Sequence, residues 1–207
     1  MDTYVQVYTG DGKGKTTAAI GLAIRAIGAG KKVLFLQFMK SKVYSEHEIL
    51  PTLPNLTLET VGKPFFIIQE GVKSKEELAR WGDEVVVFPV GKPPADYVAL
   101  IAKGMERAKE ATASGEYDVV VLDEYVMALF FGLVSREETE ALLAHRSPKT
   151  ELIFTGRGAP DWLIDAADLV TSMEEVKHYY TKGVLARAGI AVSYTHLRAH
   201  ETRRHLV

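Results

Sequence analysis

The run Thr9-Gly10-Asp11-Gly12-Lys13-Gly14-Lys15-Thr16-Thr17 packs glycine, lysine and threonine into a composition suited to holding an anion. Glycines let successive backbone N–H groups converge on phosphate oxygens without obstruction by Cβ. A helix opening directly after them adds its free N–H groups and the positive end of its dipole. In such a loop Lys15 would neutralise terminal phosphates, and the Thr16 hydroxyl would ligate Mg²⁺. The common pattern G-x-x-x-x-G-K-[ST] requires glycine where Thr9 stands; counted from Gly10, the loop is one residue short. Polyphosphate is therefore expected here in a pose of its own. Two further groups complete the chemistry. Val119-Val-Val-Leu-Asp123-Glu124 is an apolar run ending in two carboxylates, which could serve the metal side. Thr155-Gly-Arg157 ends another run with a fork-shaped cation suited to phosphate.

These side chains need a scaffold, and the apolar pattern supplies one. Short β-rich runs alternate with longer segments of helical period. Strands are predicted at Tyr4–Tyr8, Val33–Phe38, Leu56–Val61, Asp118–Leu122, Glu151–Thr155 and Asp168–Thr171. Helices are predicted over Thr16–Gly28 and Pro94–Ser114, from a capping box of Ser135 and Glu138 through His145, and briefly from Pro160. Such alternation implies βαβ units and a parallel sheet covered on both faces, one α/β domain. Ligands of such sheets collect at the carboxyl ends of the strands, where the loop and Asp123–Glu124 fall. The segment Phe65–Pro93, punctuated by prolines, gives no clear reading.

Composition removes other chemistries. With no cysteine there is no disulfide framework, thiolate nucleophile, iron–sulfur cluster or cysteine zinc site. A balance of 25 basic against 27 acidic residues argues against a partner bound through a large basic surface, such as nucleic acid. No run approaches the ~18 apolar residues of a membrane span, and the first residues do not read as a signal peptide, so a cytoplasmic protein is expected.

Together the motifs T-G-D-G-K-G-K-T-T-A-A (9–19), V-L-D-E (121–124), T-G-R-G-A-P (155–160) and A-D-L-V-T (167–171) resemble the P-loop type cob(I)alamin adenosyltransferases. Leu36-Gln-Phe-Met-Lys40, Lys177-His178-Tyr179, Gly183 and Ala188-Gly189-Ile190 continue the resemblance. It implies a P-loop NTPase-like (RecA-like) fold and transfer of the 5′-deoxyadenosyl group of ATP to the cobalt of a reduced corrinoid, with triphosphate released. It also implies Mg²⁺, a separate flavoprotein reductant and a homodimer. Carried over residue by residue, Gly10, Asp11, Gly12, Lys13, Gly14, Lys15, Thr16 and Thr17 fall to the polyphosphate, and Thr16, Asp123 and Glu124 to the metal. Arg157 falls to phosphate and Arg25 to the nucleoside side; the catalytic set is Lys15, Thr16 and Glu124. Where relatives carry G-F-x-W, this chain has Gly62-Lys-Pro-Phe65-Phe66-Ile, so Phe65 and Phe66 are the candidates for corrinoid contact. Two other functions fit the residues: an ordinary P-loop kinase or ATPase, and a non-catalytic, nucleotide-gated corrinoid carrier.

The last residues stand apart. From about Val192 the chain resembles the in-frame translation of a transposase-type sequencing adapter, and it lacks the apolar period of the elements before it. The domain is therefore expected to occupy residues 1–191, with 192–207 a non-native tail. That tail holds His196, His200 and His205, three arginines and one glutamate; without it, 22 basic and 26 acidic residues remain, a formal charge of −4.

Overall fold

The computed structural model describes residues 2–41, 44–72, 74, 78, 85–182, 184, 187 and 189–190. Gly183, Ala188, the tail 192–207 and the side chain of Phe66 lie outside the described residues. In chain order the strands are β1 (Val5–Thr9), β2 (Val33–Phe38), β3 (Leu56–Val61), β4 (Phe66–Gln69), β5 (Val85–Phe88), β6 (Val119–Asp123), β7 (Glu151–Thr155) and β8 (Leu169–Ser172). The helices are α1 (Lys15–Gly28), α2 (Glu46–Ile49), α3 (Ala95–Ser114), α4 (Tyr125–Phe130), α5 (Arg136–Ala144) and α6 (Asp161–Ala166). Every strand and long helix predicted from the pattern is present, with ends shifted by a residue or two.

Six strands make one sheet in the order β3-β2-β6-β7-β1-β8, and all its pairings are parallel. This is the P-loop NTPase-like α/β architecture that the sequence implied. Continuous apolar runs form the inner strands because both faces are covered. Val33, Phe35, Val119, Val121 and Ile153 pack toward α1, whose small residues Ala19, Ala23 and Ala26 let the helix approach closely. The alternate residues Leu34, Leu36, Val120, Leu122, Leu152 and Phe154 pack on the other side against Tyr97, Ile101 and Met105 of α3 and against Tyr125 of α4. Period-2 alternation thus divides one sheet between two cores.

The unreadable stretch contains a second, two-stranded parallel sheet, β4 with β5. Its strands are only four residues each, too short for the pattern to separate from buried loop. The expected capping box is formed: the Ser135 hydroxyl accepts from the Glu138 N–H at 3.1 Å, and the Glu138 carboxylate accepts from the Ser135 N–H at 2.9 Å. Ser135→Ala removes that cap, and thermal denaturation should show a loss of about 1 kcal/mol, or roughly 2–4 °C in Tm.

Candidate functional site

Strand register brings the chemistry into one row. Gln37 of β2 pairs with Asp123 of β6, Leu122 with Phe154 of β7, and Tyr8 of β1 with Thr155. The carboxyl ends of four neighbouring strands therefore present Gln37, Asp123, Thr155 and the glycine loop side by side, with β7 between the acid strand and the loop strand. Adjacent strands stand about 4.8 Å apart, so the row spans only a few such steps.

The loop is shaped by close backbone contact. Gly10 and Gly14 adopt φ of 93° and 124°, open to glycine and strained for other residues. Gly12 donates its N–H to the Met173 carbonyl at 2.7 Å, and a Cβ there would lie 2.6 Å from the Glu174 backbone. The segment following β8 therefore backs the loop. Lys15, buried at the start of α1, donates to the carbonyls of Gly10 at 2.7 Å and Gly12 at 2.8 Å. Burial and the nearby Arg157 guanidinium lower its ammonium to about 8, against the pull of Glu124, Asp11 and Asp123. Arg157 is itself buried, which lowers its value too, and it feels Asp11, Glu124 and Glu175. Its turn is stitched to β1: Gly156 donates to the Tyr8 carbonyl at 3.1 Å, and the Ala159 N–H donates to the Thr9 hydroxyl at 3.1 Å.

Asp123 is wholly buried. Oδ1 accepts from the Thr155 hydroxyl at 2.7 Å and the Thr16 hydroxyl at 2.9 Å; Oδ2 accepts from Lys40 Nζ at 2.8 Å and Gln37 Nε2 at 3.0 Å. Burial alone would raise this carboxyl, but the Lys40 ammonium and the hydrogen bonds outweigh it and hold the group ionised, below its ordinary value. Burial likewise opposes the charge on Lys40, and Asp123 with Glu124 more than restores it. Behind Gln37 stands His47: its Nδ1 accepts from the Tyr44 N–H at 3.2 Å, so Nε2 carries the proton and donates to Gln37 Oε1 at 2.5 Å. Glu124 follows in the left-handed region at φ 57°, its N–H donating to Thr155 Oγ1 at 2.9 Å. A side chain held there in spite of strain is a mark of functional sites.

Gly10, Asp11, Gly12, Gly14, Lys15, Thr16, Asp123, Glu124 and Arg157 thus lie together in the structure. Lys13 and Thr17 belong to the same turn, with exposed side chains. Arg25 does not join them: it is exposed in the last turn of α1, about 15 Å along the helix from Lys15, and the side chain that feels its charge is Tyr8. Phe65 is half-buried, its ring 6.2 Å from that of the buried Tyr97 and 5.6 Å from the Lys63 ammonium. His178 packs its ring 4.7 Å from Tyr179, and Lys177 is exposed. The motifs did not single out Gln37, His47 or Thr155 as site residues, and they gave Lys40 no role. A polar Gln37 inside the apolar run Val33–Phe38 was the available signal, since a buried amide needs partners.

A family model described as ATP:corrinoid adenosyltransferase BtuR/CobO/CobP matches residues 1–192. The chain belongs to this family. It is a transferase, and ATP and a corrinoid are its substrates. Among curated relatives, the corrinoid adenosyltransferase of Escherichia coli K12 is 33% identical over 89% of this chain and 83% of its own length. The corrinoid adenosyltransferase CobA of Salmonella typhimurium is 34% identical with the same coverages. An uncharacterized protein of Nostoc sp. is 35% identical over 84% of this chain, which spans 44% of that relative's length. The Pyrococcus furiosus Hef helicase domain superposes with a TM-score of 0.42 at 15% identity, covering 89% of this chain and 38% of that one.

The state of Lys15 gives the adenosyltransferase site a pH dependence. Triphosphate favours the charged ammonium, whereas burial in the nucleotide-free site favours the neutral one. Affinity for ATP, measured by calorimetry, is expected to hold below pH 8 and to weaken as pH rises above about 8. Lys15→Arg, which stays charged, should flatten that profile up to pH 10.

Proposed function

We propose that this chain transfers the 5′-deoxyadenosyl group of ATP to the cobalt of a reduced corrinoid by in-line displacement at C5′. The cobalt–carbon bond forms as the C5′–oxygen bond breaks, and inorganic triphosphate leaves with the bonding electrons. The nucleophile belongs to the substrate and C5′ surrenders no proton, so the protein has no base or nucleophile to supply. What the reaction requires is alignment of two reactants and stabilisation of charge on the departing triphosphate.

The observation that carries this reading is the cluster of Lys15 and Arg157, two buried cations converging beside a shortened phosphate loop. Asp123, with all four acceptor positions engaged, has no lone pair left to take a proton from an attacking hydroxyl or water, which disfavours it as a kinase-type base. Gly10, Gly12 and Gly14 would present N–H groups to the phosphates, with Asp11, Lys13 and Thr17 on the outer side of the same turn. Lys15 would exchange the Gly10 and Gly12 carbonyls for phosphate oxygens.

A divalent ion fits this donor set in a particular way. Thr16 Oγ1, which donates to Asp123 and accepts from Lys40, would hold the ion together with Asp123 and Glu124. Among the described residues no cluster of three or more acidic, histidine or cysteine side chains could hold an ion unaided, so phosphate and water would have to supply most of the ligands of a bound Mg²⁺. When bound, the ion would supply charge neutralisation on the triphosphate.

Phe65 and Phe66 would border the corrinoid, and Arg25 would serve the nucleoside side. A flavoprotein reductant, a homodimer and a cytoplasmic site of action complete the reading; no described helix is long and apolar enough to cross a membrane. The domain would be residues 1–191, a boundary supported by the family match ending at residue 192. The test supplies ATP, Mg²⁺ and chemically reduced cobalamin and identifies the phosphorus product. Triphosphate is expected; ADP with phosphate would establish kinase or ATPase chemistry, and unchanged ATP a carrier. Lys15→Ala should lower transfer by about two to three orders of magnitude, the scale of removing one preorganised donor.

A further inference from the structure

Lys40 has no assigned role in the triphosphate cradle, yet its ammonium stands at the centre of the metal side. It lies 2.8 Å from Asp123 Oδ2 and 3.3 Å from Thr16 Oγ1, between the two side chains expected to serve the divalent ion. The tyrosine ring of Tyr44 closes the far side, 5.6 Å from Nζ. The backbone is built to aim it there. Met39, just past β2, is one of the few non-glycine residues in the left-handed region, at φ 58°, and donates its N–H to the Val61 carbonyl at 2.7 Å. Residues 39 and 40 then press on Gly62, where a Cβ would lie 2.4 Å from the Lys40 nitrogen and 2.6 Å from its carbonyl oxygen. Only glycine allows that approach, so the turn that presents Lys40 depends on Gly62.

We propose that Lys40 is the resident cation of the nucleotide-free site: its ammonium fills the cation position between Thr16 and Asp123, and the divalent ion enters only together with the nucleotide. This rests on reading the loop as a triphosphate cradle. A divalent ion on the same carboxylate oxygen would bring two positive charges within a few ångströms in a buried site, so the two are mutually exclusive there. Asp123 leads to the same conclusion, because a direct metal bond has to displace one of its four donors. Of the four donors only the lysine carries a charge that opposes the ion's own. Phosphate oxygens arriving with their own ion bring the negative charge that lets both cations share the site.

The test uses neither ATP nor corrinoid, so it can fail separately from the adenosyl-transfer reading. Nucleotide-free protein is titrated with Mn²⁺, and the electron paramagnetic resonance signal of free ion is followed. Wild-type protein should leave the ion free, whereas Lys40→Ala should take up one Mn²⁺ per chain about tenfold more tightly or better, since the ammonium no longer opposes it. Asp123→Asn added to that variant should remove the gain, and Mn²⁺ should raise the Tm of Lys40→Ala and not that of wild type. Lys40→Met, which keeps the length of the side chain without its charge, replaces the alanine variant should that fail to fold. Saturable uptake of one Mn²⁺ by nucleotide-free wild type, or folded Lys40 variants that bind no better than wild type, would overturn the proposal.

Discussion

The site depends on one buried charge. Asp123 is wholly removed from water, and a carboxylate in that position is tolerable only with its lone pairs engaged and a counter-ion in contact. Each of its four partners comes from a different part of the chain: Thr16 from the first helix, Gln37 from the second strand, Lys40 from the turn beyond it, and Thr155 from the seventh strand. Satisfying one carboxylate therefore fixes the relative positions of the loop helix and the three strand ends around it. Removing one partner from such a pair characteristically costs about 3–5 kcal/mol, because the remaining charge is left uncompensated. The carboxylate thus acts as a gauge against which the phosphate loop is set.

Sheet order explains why the gauge can work at a distance from the loop itself. With β7 between the acid strand and the loop strand, Thr155 is interposed, and its hydroxyl both donates to Asp123 and accepts from the Glu124 N–H. The same strand continues into Gly156 and Arg157, whose turn bonds back to the end of β1. One connection therefore carries the acid's orientation, the strained placement of Glu124 and the Arg157 guanidinium. Segment 173–174 closes the loop from the opposite side, leaving room for backbone alone at Gly10 and Gly12.

Most of this sheet was legible because a parallel strand covered on both faces must be apolar throughout, and runs such as Val119–Leu122 announce themselves. The glycine loop was legible because its residues are dictated by φ and by close approach, which few other residues satisfy. The small β4–β5 sheet was not, since four-residue strands carry too little pattern. The polar support of Asp123 was hidden for another reason. Gln37 and Lys40 meet the acid through parallel pairing and a left-handed turn at Met39, with His47 behind Gln37, and contacts between residues more than 80 positions apart leave no local periodicity. Arg25 matches a motif position from the far end of α1, exposed and about 15 Å along the helix from Lys15.

The electrostatic state of the site fits a reaction whose nucleophile is brought in by the substrate. The two lysines of the site already have partners: Lys15 rests on the Gly10 and Gly12 carbonyls, and Lys40 rests on Asp123. Where a hydrolase or kinase uses a carboxylate as base, that group must be ready to accept a proton, and a carboxylate engaged as Asp123 is cannot be it. Adenosyl transfer makes no such demand, because charge develops only on the leaving triphosphate. Exchanging loop carbonyls for phosphate oxygens would turn ammonium–carbonyl hydrogen bonds into ion pairs, with the donors already in place when the C5′–oxygen bond lengthens. Positive charge held in waiting on the Gly10 and Gly12 carbonyls suits a leaving group and no proton transfer, and the saturated Asp123 points the same way.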